Sequence, residues 1–254
     1  MDIYYRQNTE DVENTVWSTS RLYLRLLETF PEYVRDFQAK WKSWQQAISA
    51  ENPSTWSSVP SFTSLTALGP QIIPLVVYQL ALNQNDKTAV HLYKALETDT
   101  SYLLDVLDND HNPGFQILRV SFARNRAVRN ALADWAEYSE RVSHHSSSSM
   151  YTQCDEYDTL LRFGQSIIPH VMLQYAHDIK VQRGPGTTSS ASRIGLGVLF
   201  WYELLHELVW GCKTGGQTWV LEDVYNRWEG WFQGGSGVAG TPWYCGRRVF
   251  DEEV

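Results

Sequence analysis

Two stretches decide how this chain reads: Phe62 to Ala81, FTSLTALGPQIIPLVVYQLA, and Tyr157 to Ala176, YDTLLRFGQSIIPHVMLQYA. Set one above the other without gaps, they share Leu65/Leu160, Gly69/Gly164, Ile72/Ile167, Ile73/Ile168, Pro74/Pro169, Val76/Val171, Gln79/Gln174 and Ala81/Ala176, eight identities in twenty at an offset of 95. A second landmark recurs. Trp41 with Trp44, Trp135 with Tyr138 and Trp228 with Trp231 are aromatic pairs three residues apart, 94 and then 93 residues from one pair to the next. The two periods agree, so the chain reads as two copies of a unit of about 94 residues preceded by a helix.

Each copy runs loop, short helix, glycine break, apolar helix, further helix, aromatic-marked helix. The glycine is expected where the chain turns between two helices, because a left-handed cap costs a residue without a β-carbon least. The Ile-Ile-Pro step then opens an apolar helix that needs cover, and stacking the second copy against the first supplies it.

Outside the copies the signals are also helical. Val12, Val16, Leu22, Leu26 and Leu27 predict a helix from about Thr9 to Phe30, and Pro31 suits the first turn of another through about Ala50. Lys87 to Leu107 reads as helical with a break near Asp99, Phe115 to Val142 as one long helix, and His144 to Ser149 as a linker. Helices resume over Asp155 to Ala176, Ile194 to Trp210 and Trp219 to Gln233. No alternating run is long enough for a strand. The predicted fold is all-α, two tandem helical repeats packed as one compact body. An N-terminal helical hairpin occupies 1–60, the repeats 61–143 and 150–233, and a flexible tail carrying Trp243, Tyr244 and Phe250 occupies 234–254.

Composition narrows the function classes. The 254 residues carry 21 basic and 29 acidic side chains, a net charge of −8, which excludes a generally basic nucleic-acid or membrane-surface binder. With 43% hydrophobic residues there is enough apolar material for a sizeable core. No basic-then-apolar leader opens the chain and no apolar run approaches a membrane span, so the expected location is the cytoplasm. Cys154, Cys212 and Cys245 have no paired metal spacing, and their odd number fits thiols in a reducing compartment.

Comparing the copies points to the second. Leu75 of the first becomes His170, and the region matching Tyr93 to Glu97 gains His206. The stretch Leu196 to Trp210 is apolar except for Glu203, His206 and Glu207, which sit at i, i+3 and i+4 on one face. A carboxylate one turn from an imidazole orients it and raises its basicity, as a general base near neutral pH requires. The alternative is a polar stripe or a hydrogen-bonded structural histidine. His206-Glu207 opens like the zinc-protease H-E-x-x-H, but Trp210 stands where the second histidine belongs. Glu203-x-x-His206 is half of a di-iron pattern that lacks its second pair. No metal and no cofactor are therefore expected.

Nucleophile-elbow, P-loop and dinucleotide signatures are missing. Cys212 follows a helix C-terminus, whose negative end would raise its pKa and disfavour the thiolate, so it reads as a structural thiol. Arg119, Arg126 and Arg129, with Arg124 beside them, lie near one side of the long helix; internal ion pairing or a solvated face competes with an anion clamp in which Arg126 would take part. Eleven tryptophans are several-fold more than usual, and Trp201, Tyr202, Trp210 and Trp219 crowd the stretch around the Glu203/His206/Glu207 stripe. Aromatic walls with a few convergent polar groups suit a largely apolar ligand.

The Leu68 to Pro74 string, Leu-Gly-Pro-Gln-Ile-Ile-Pro, resembles the helix turns of HEAT-type repeats at twice their period. The Gly164 to Pro169 string, and Tyr202 to Glu207 followed by Gly211 and Gly215, are similar to uncharacterised all-helical proteins of filamentous fungi. That resemblance covers mainly the second copy and makes an enzyme of fungal specialised metabolism the expected class. The sequence reading is a cofactor-independent cyclase, isomerase or lyase acting on a small apolar or aromatic molecule. His206 would move the proton, Glu203 or Glu207 would orient it, and His170 would assist. The rival is a non-catalytic helical-repeat adaptor for another protein, and homodimerisation through the tail suits either.

Overall fold

The computed structural model describes residues 2–48, 52–107, 112–143, 148–182, 196–213 and 221–234. Among the described residues there are eleven α-helices and no strand, so the protein is all-α. The expected linker at His144, the glycine-rich Gly184 to Ser192, Trp219 and the aromatic tail from 235 onward lie outside the described residues. No single described helix is long and apolar enough to cross a membrane. The chain divides into two compact units, Met1–Arg129 and Asn130–Val254.

In the first unit, α1 (Asp2–Thr29) and α2 (Pro31–Ile48) form the expected hairpin, and α3 (Pro60–Thr66), α4 (Ile73–Leu82), α5 (Lys87–Leu96) and α6 (Thr100–Leu107) follow. The hairpin is packed into the unit. α1 lies on α4, with the rings of Tyr23 and Tyr78 stacked 3.7 Å apart, and α2 lies on α3 through Trp44 and Phe62, 5.2 Å apart. The Trp44 indole N–H donates to the Trp56 carbonyl at 3.4 Å, and Tyr33 Oη donates to the Gln71 carbonyl at 2.6 Å. Gly69 has φ 76°, the left-handed region that L residues avoid, and turns the chain from α3 into a 3-10 turn over Pro70–Ile72. The break near Asp99 has its own cap: the Asp99 carboxylate accepts from the Ser101 amide at 2.9 Å.

The long α7 (Pro113–Arg141) buries Ile117, Ser121, Arg124, Val128, Ala131 and Trp135, a stripe at helical spacing in which one member is an arginine. Arg124 is sealed against the carboxylate of Glu97, its Nη2 also donates to Tyr93 Oη at 3.0 Å, and its guanidinium lies 3.9 Å from the centroid of the Tyr102 ring. Arg119, Arg126 and Arg129 are exposed. The ion-pairing alternative therefore describes Arg124, and Arg126 lies on the surface of the first unit.

The second unit contains the end of α7, then α8 (Asp155–Arg162), α9 (Ile168–Gln182), α10 (Leu196–Trp210) and α11 (Leu221–Gln233). Gly164, at φ 64°, ends α8 and opens a 3-10 turn over Gly164–Ile167 that leads into α9. α10 is central, packing on α8, α9 and α11. Trp135 is fully buried; its indole N–H donates to the Tyr151 carbonyl at 2.8 Å and its ring meets Tyr157 at 5.4 Å and Trp201 at 5.0 Å.

Candidate functional site

α8 begins at Cys154, an extended residue, and carries Asp155, Glu156 and Asp158 in its first turn, where negative charge meets the positive end of the helix. Its inward face is Tyr157 and Leu160. The Tyr157 hydroxyl donates to Glu207 Oε2 on α10 at 3.0 Å. Burial, then the charges of Glu207 and Glu203, push the Tyr157 hydroxyl far above its ordinary pKa, so it remains a donor throughout the neutral range. Lys213 lies across the same ring, its Nζ 5.3 Å from the ring centre while donating to the Thr152 carbonyl at 2.9 Å.

Glu207 thus bonds Tyr157, with the charge of Glu203 felt at the same hydroxyl, whereas His206 bonds a main-chain carbonyl. His206 is 1% exposed, its ring centre lies 4.6 Å from that of Trp210, and Nδ1 is 2.5 Å from the Cys212 carbonyl oxygen. A carbonyl only accepts, so Nδ1 carries the proton and Nε2 is the basic nitrogen of the neutral ring. Gly211, at φ 71°, bends the chain back so that the Cys212 carbonyl reaches the imidazole. The orienting partner here is a main-chain carbonyl, where the sequence suggested Glu203 or Glu207.

His170 is buried in the first turn of α9 and takes no part in the Tyr157–Glu207 or His206–Cys212 hydrogen bonds. Trp201 is buried and donates its indole N–H to Asp178 at 2.8 Å. Tyr202, His206 and Trp210, spaced i, i+4 and i+8, share one side of α10. That side leads to α9 and α11: Trp210 meets Trp228 at 5.3 Å, and Tyr175 of α9 meets Tyr225 of α11 at 5.1 Å. Tyr175 is fully buried, and its hydroxyl has no hydrogen-bond partner among the described residues. Burial, then Tyr202 and Tyr225, raise its pKa well above the ordinary value.

Sequence reasoning missed Tyr157 and Tyr175, and the signal was present. In the two aligned strings they stand opposite Phe62 and Leu80, so the comparison that picked out His170 also offers two hydroxyls gained in the second copy. Lys213 and Thr152 carry no comparable signal, because their meeting spans 61 residues.

Cys212 corrects the sequence reading. It is disulfide-bonded, while Cys154 is a free thiol whose pKa is pushed up chiefly by burial. The cysteine count alone favoured thiols because an odd number hides one bridge beside one thiol. Among the described residues no group of three or more His, Cys, Asp or Glu could hold a metal ion.

The buried tyrosines dictate behaviour in alkali. Tyr93, Tyr157 and Tyr175 have folded-state pKa values raised above the ordinary 10.0, so the stability they contribute is complete below about that pH and is lost as pH rises beyond it. Phenolate absorbance and circular dichroism, followed together, are expected to change in one step above about pH 10, with buried tyrosines ionising only as helix is lost. Full tyrosine ionisation with unchanged helix would contradict this burial.

Comparison with protein-family models, with curated protein sequences and with solved structures finds no match to this chain.

Proposed function

We propose that the second unit binds a small, largely apolar molecule bearing one oxygen acceptor between α9, α10 and α11, and acts on it as a cofactor-independent isomerase, cyclase or lyase. The observation that carries this reading is the Tyr175 hydroxyl, buried among tyrosine rings without an acceptor among the described residues. An unsatisfied buried hydroxyl costs about 1–3 kcal/mol, a cost that a ligand oxygen would remove. The side of α10 facing this region supplies Tyr202, His206 and Trp210.

In the proposed chemistry Tyr175 donates to the ligand oxygen. His206 Nε2 takes a proton from a carbon beside the oxygen-bearing carbon, and the electron pair moves towards that oxygen as the hydroxyl stabilises it. Return of the proton to another carbon completes an isomerisation. Tyr157 and Glu207 act as positioning residues that hold α8 against α10. The proposal keeps the enzyme within the specialised metabolism of a fungal cell.

We also propose that the two units descend from one doubled helical module. Supporting this, the Trp44 indole bonds the Trp56 carbonyl and its ring meets Phe62, while the Trp135 indole bonds the Tyr151 carbonyl and its ring meets Tyr157. The acceptors and partner rings are both 95 apart, although this pairs Trp135 with Trp44, where the sequence spacing paired it with Trp41.

Tyr175→Phe tests the binding reading. The free variant is expected to be more stable than the parent by about 1–3 kcal/mol, since it loses the unpartnered group that carries that cost. Thermal-shift screening should use apolar ketones and lactones against the matching hydrocarbons. The parent is expected to prefer the oxygenated compounds and the variant to lose that preference. Equal responses from both proteins, or none from the parent, would sink the reading. The rival adaptor draws on Trp17 and Leu24 of α1, 63% and 58% exposed and two turns apart. A partner captured by the parent and lost on Trp17→Ala/Leu24→Ala, with no ligand preference, would favour it.

A further inference from the structure

The geometry points to a hydrolytic site in the first unit: Ser57 and His91 form a nucleophile–base dyad that cleaves a carboxylic ester, with the half-buried Trp56 ring offering its apolar surface to the acyl group. The inference shares no residue with the reading of the second unit and is independent of it.

Ser57 lies in the 3-10 turn Pro53–Ser58, just before α3. Asn52 caps the turn, its Oδ1 accepting from the Ser54 amide at 3.1 Å, and the Trp44 indole holds the Trp56 carbonyl, one residue before Ser57. Ser57 is exposed, and its Oγ is 2.8 Å from Nε2 of His91 on α5. The other serines of the turn, Ser54 and Ser58, are exposed as well, but Ser54 Oγ bonds Asn52 Oδ1 and Ser58 Oγ bonds the Thr55 carbonyl. Only a hydroxyl held against a base is set up to lose its proton as it attacks.

His91 is half-buried among aromatic rings, its ring centre 6.2 Å from that of Trp44, 5.8 Å from Trp56 and 5.4 Å from Phe62. These rings fix the imidazole's orientation, the task a carboxylate performs in a catalytic triad. Burial, then the charge of Lys94 one turn on, lower the His91 pKa below its ordinary 6.5, so the ring is a neutral base at pH 7. The dyad spans 34 residues, which is why no local motif announces it.

Packing alone does not call for this pair. In the second unit Tyr151, 95 residues after Trp56, stacks on Phe200 at 4.6 Å, and Thr152, 95 after Ser57, accepts from Lys213 Nζ at 3.2 Å. A plain hydrocarbon ring thus fills the place that the imidazole takes in the first unit.

In the reaction, Ser57 Oγ attacks the ester carbonyl carbon as its proton passes to His91 Nε2. The bond from carbon to the alkoxy oxygen then breaks, and the leaving oxygen takes that proton and departs as alcohol. Water attacks the acyl-serine, Nε2 receives its proton and returns it to Ser57 Oγ, and the carboxylic acid leaves. Ester and water become acid and alcohol with no change of oxidation state.

The test treats the full chain with an alkyl fluorophosphonate, which loses fluoride as phosphorus bonds to a nucleophilic oxygen, and locates the label by mass spectrometry. The label is expected on Ser57, with Ser54 and Ser58 of the same molecule as internal controls. His91→Phe, which keeps a ring among Trp44, Trp56 and Phe62, is expected to slow labelling about a hundredfold, and Ser58→Ala to leave it unchanged. Hydrolysis of p-nitrophenyl butyrate by the parent is expected to be lost in Ser57→Ala, a surface change that spares the fold. Labelling of Ser57 no faster than Ser58, equal labelling in parent and His91→Phe, or equal hydrolysis by parent and Ser57→Ala would each overturn the dyad. Circular dichroism of His91→Phe identifies loss of fold, in which case the comparison of serines within the parent and the Ser57→Ala result decide.

Discussion

Arg124→Met is expected to lower the stability of the first unit by about 3–5 kcal/mol, because it strands the buried carboxylate of Glu97. Both side chains are at most 4% exposed, and that carboxylate also accepts from Tyr93 Oη at 2.9 Å and from the Asp99 amide at 3.1 Å. Glu97→Met should cost a similar amount by stranding the guanidinium. The double variant is expected to recover most of the loss, since replacing both partners removes two desolvation penalties along with one attraction. Urea unfolding followed by circular dichroism reads all three. A single variant within about 1 kcal/mol of the parent would mean that water reaches the pair.

Trp135→Ala is expected to cost about 3–5 kcal/mol in the second unit, the usual penalty for emptying a large buried aromatic site. Four elements of that unit meet at this indole: its own helix, the Tyr151 turn, α8 through Tyr157 and α10 through Trp201. Trp135→Phe keeps a ring and removes the N–H, so the Tyr151 carbonyl loses its donor and the expected cost falls to about 1–2 kcal/mol. Trp17→Ala, at a largely exposed position, is the control and should remain within about 0.5 kcal/mol of the parent. A small loss for Trp135→Ala would show that the neighbouring rings collapse into the space.

Most of the fold was legible because helices announce themselves locally. Proline and glycine at 31, 69, 113 and 164 mark starts and breaks that the structure places within a few residues of expectation. Even Arg124 was readable in part, since it sits at i+7 from Ile117 on an otherwise apolar stripe, and such a position must bury its charge or bend the helix. Its partner was not readable. Glu97 is 27 residues away, just past the end of a helix, where periodicity carries no information.

The site divides in the same way. Glu203, His206 and Glu207 lie on one helix, but one shared helix face is too coarse a description: the Glu207 carboxylate bonds Tyr157 and the imidazole bonds a main-chain oxygen. A pattern of side chains does not reveal that a backbone carbonyl beyond a left-handed glycine will fold back to meet one of them. The hydroxyls of Tyr157 and Tyr175 were hidden for another reason. A phenol opposite phenylalanine or leucine passes for a conservative exchange unless its oxygen is counted.

Trp17 has a consequence for spectroscopy. Its indole stands in water with the Arg21 guanidinium 5.2 Å from the ring centre, while Trp44, Trp135, Trp201 and Trp228 are almost wholly enclosed. The light emitted by this chain is therefore a mixture of a long-wavelength surface component and a blue interior one. Iodide, drawn by the neighbouring cation, extinguishes the first and leaves the second, so one cuvette reports on skin and marrow separately.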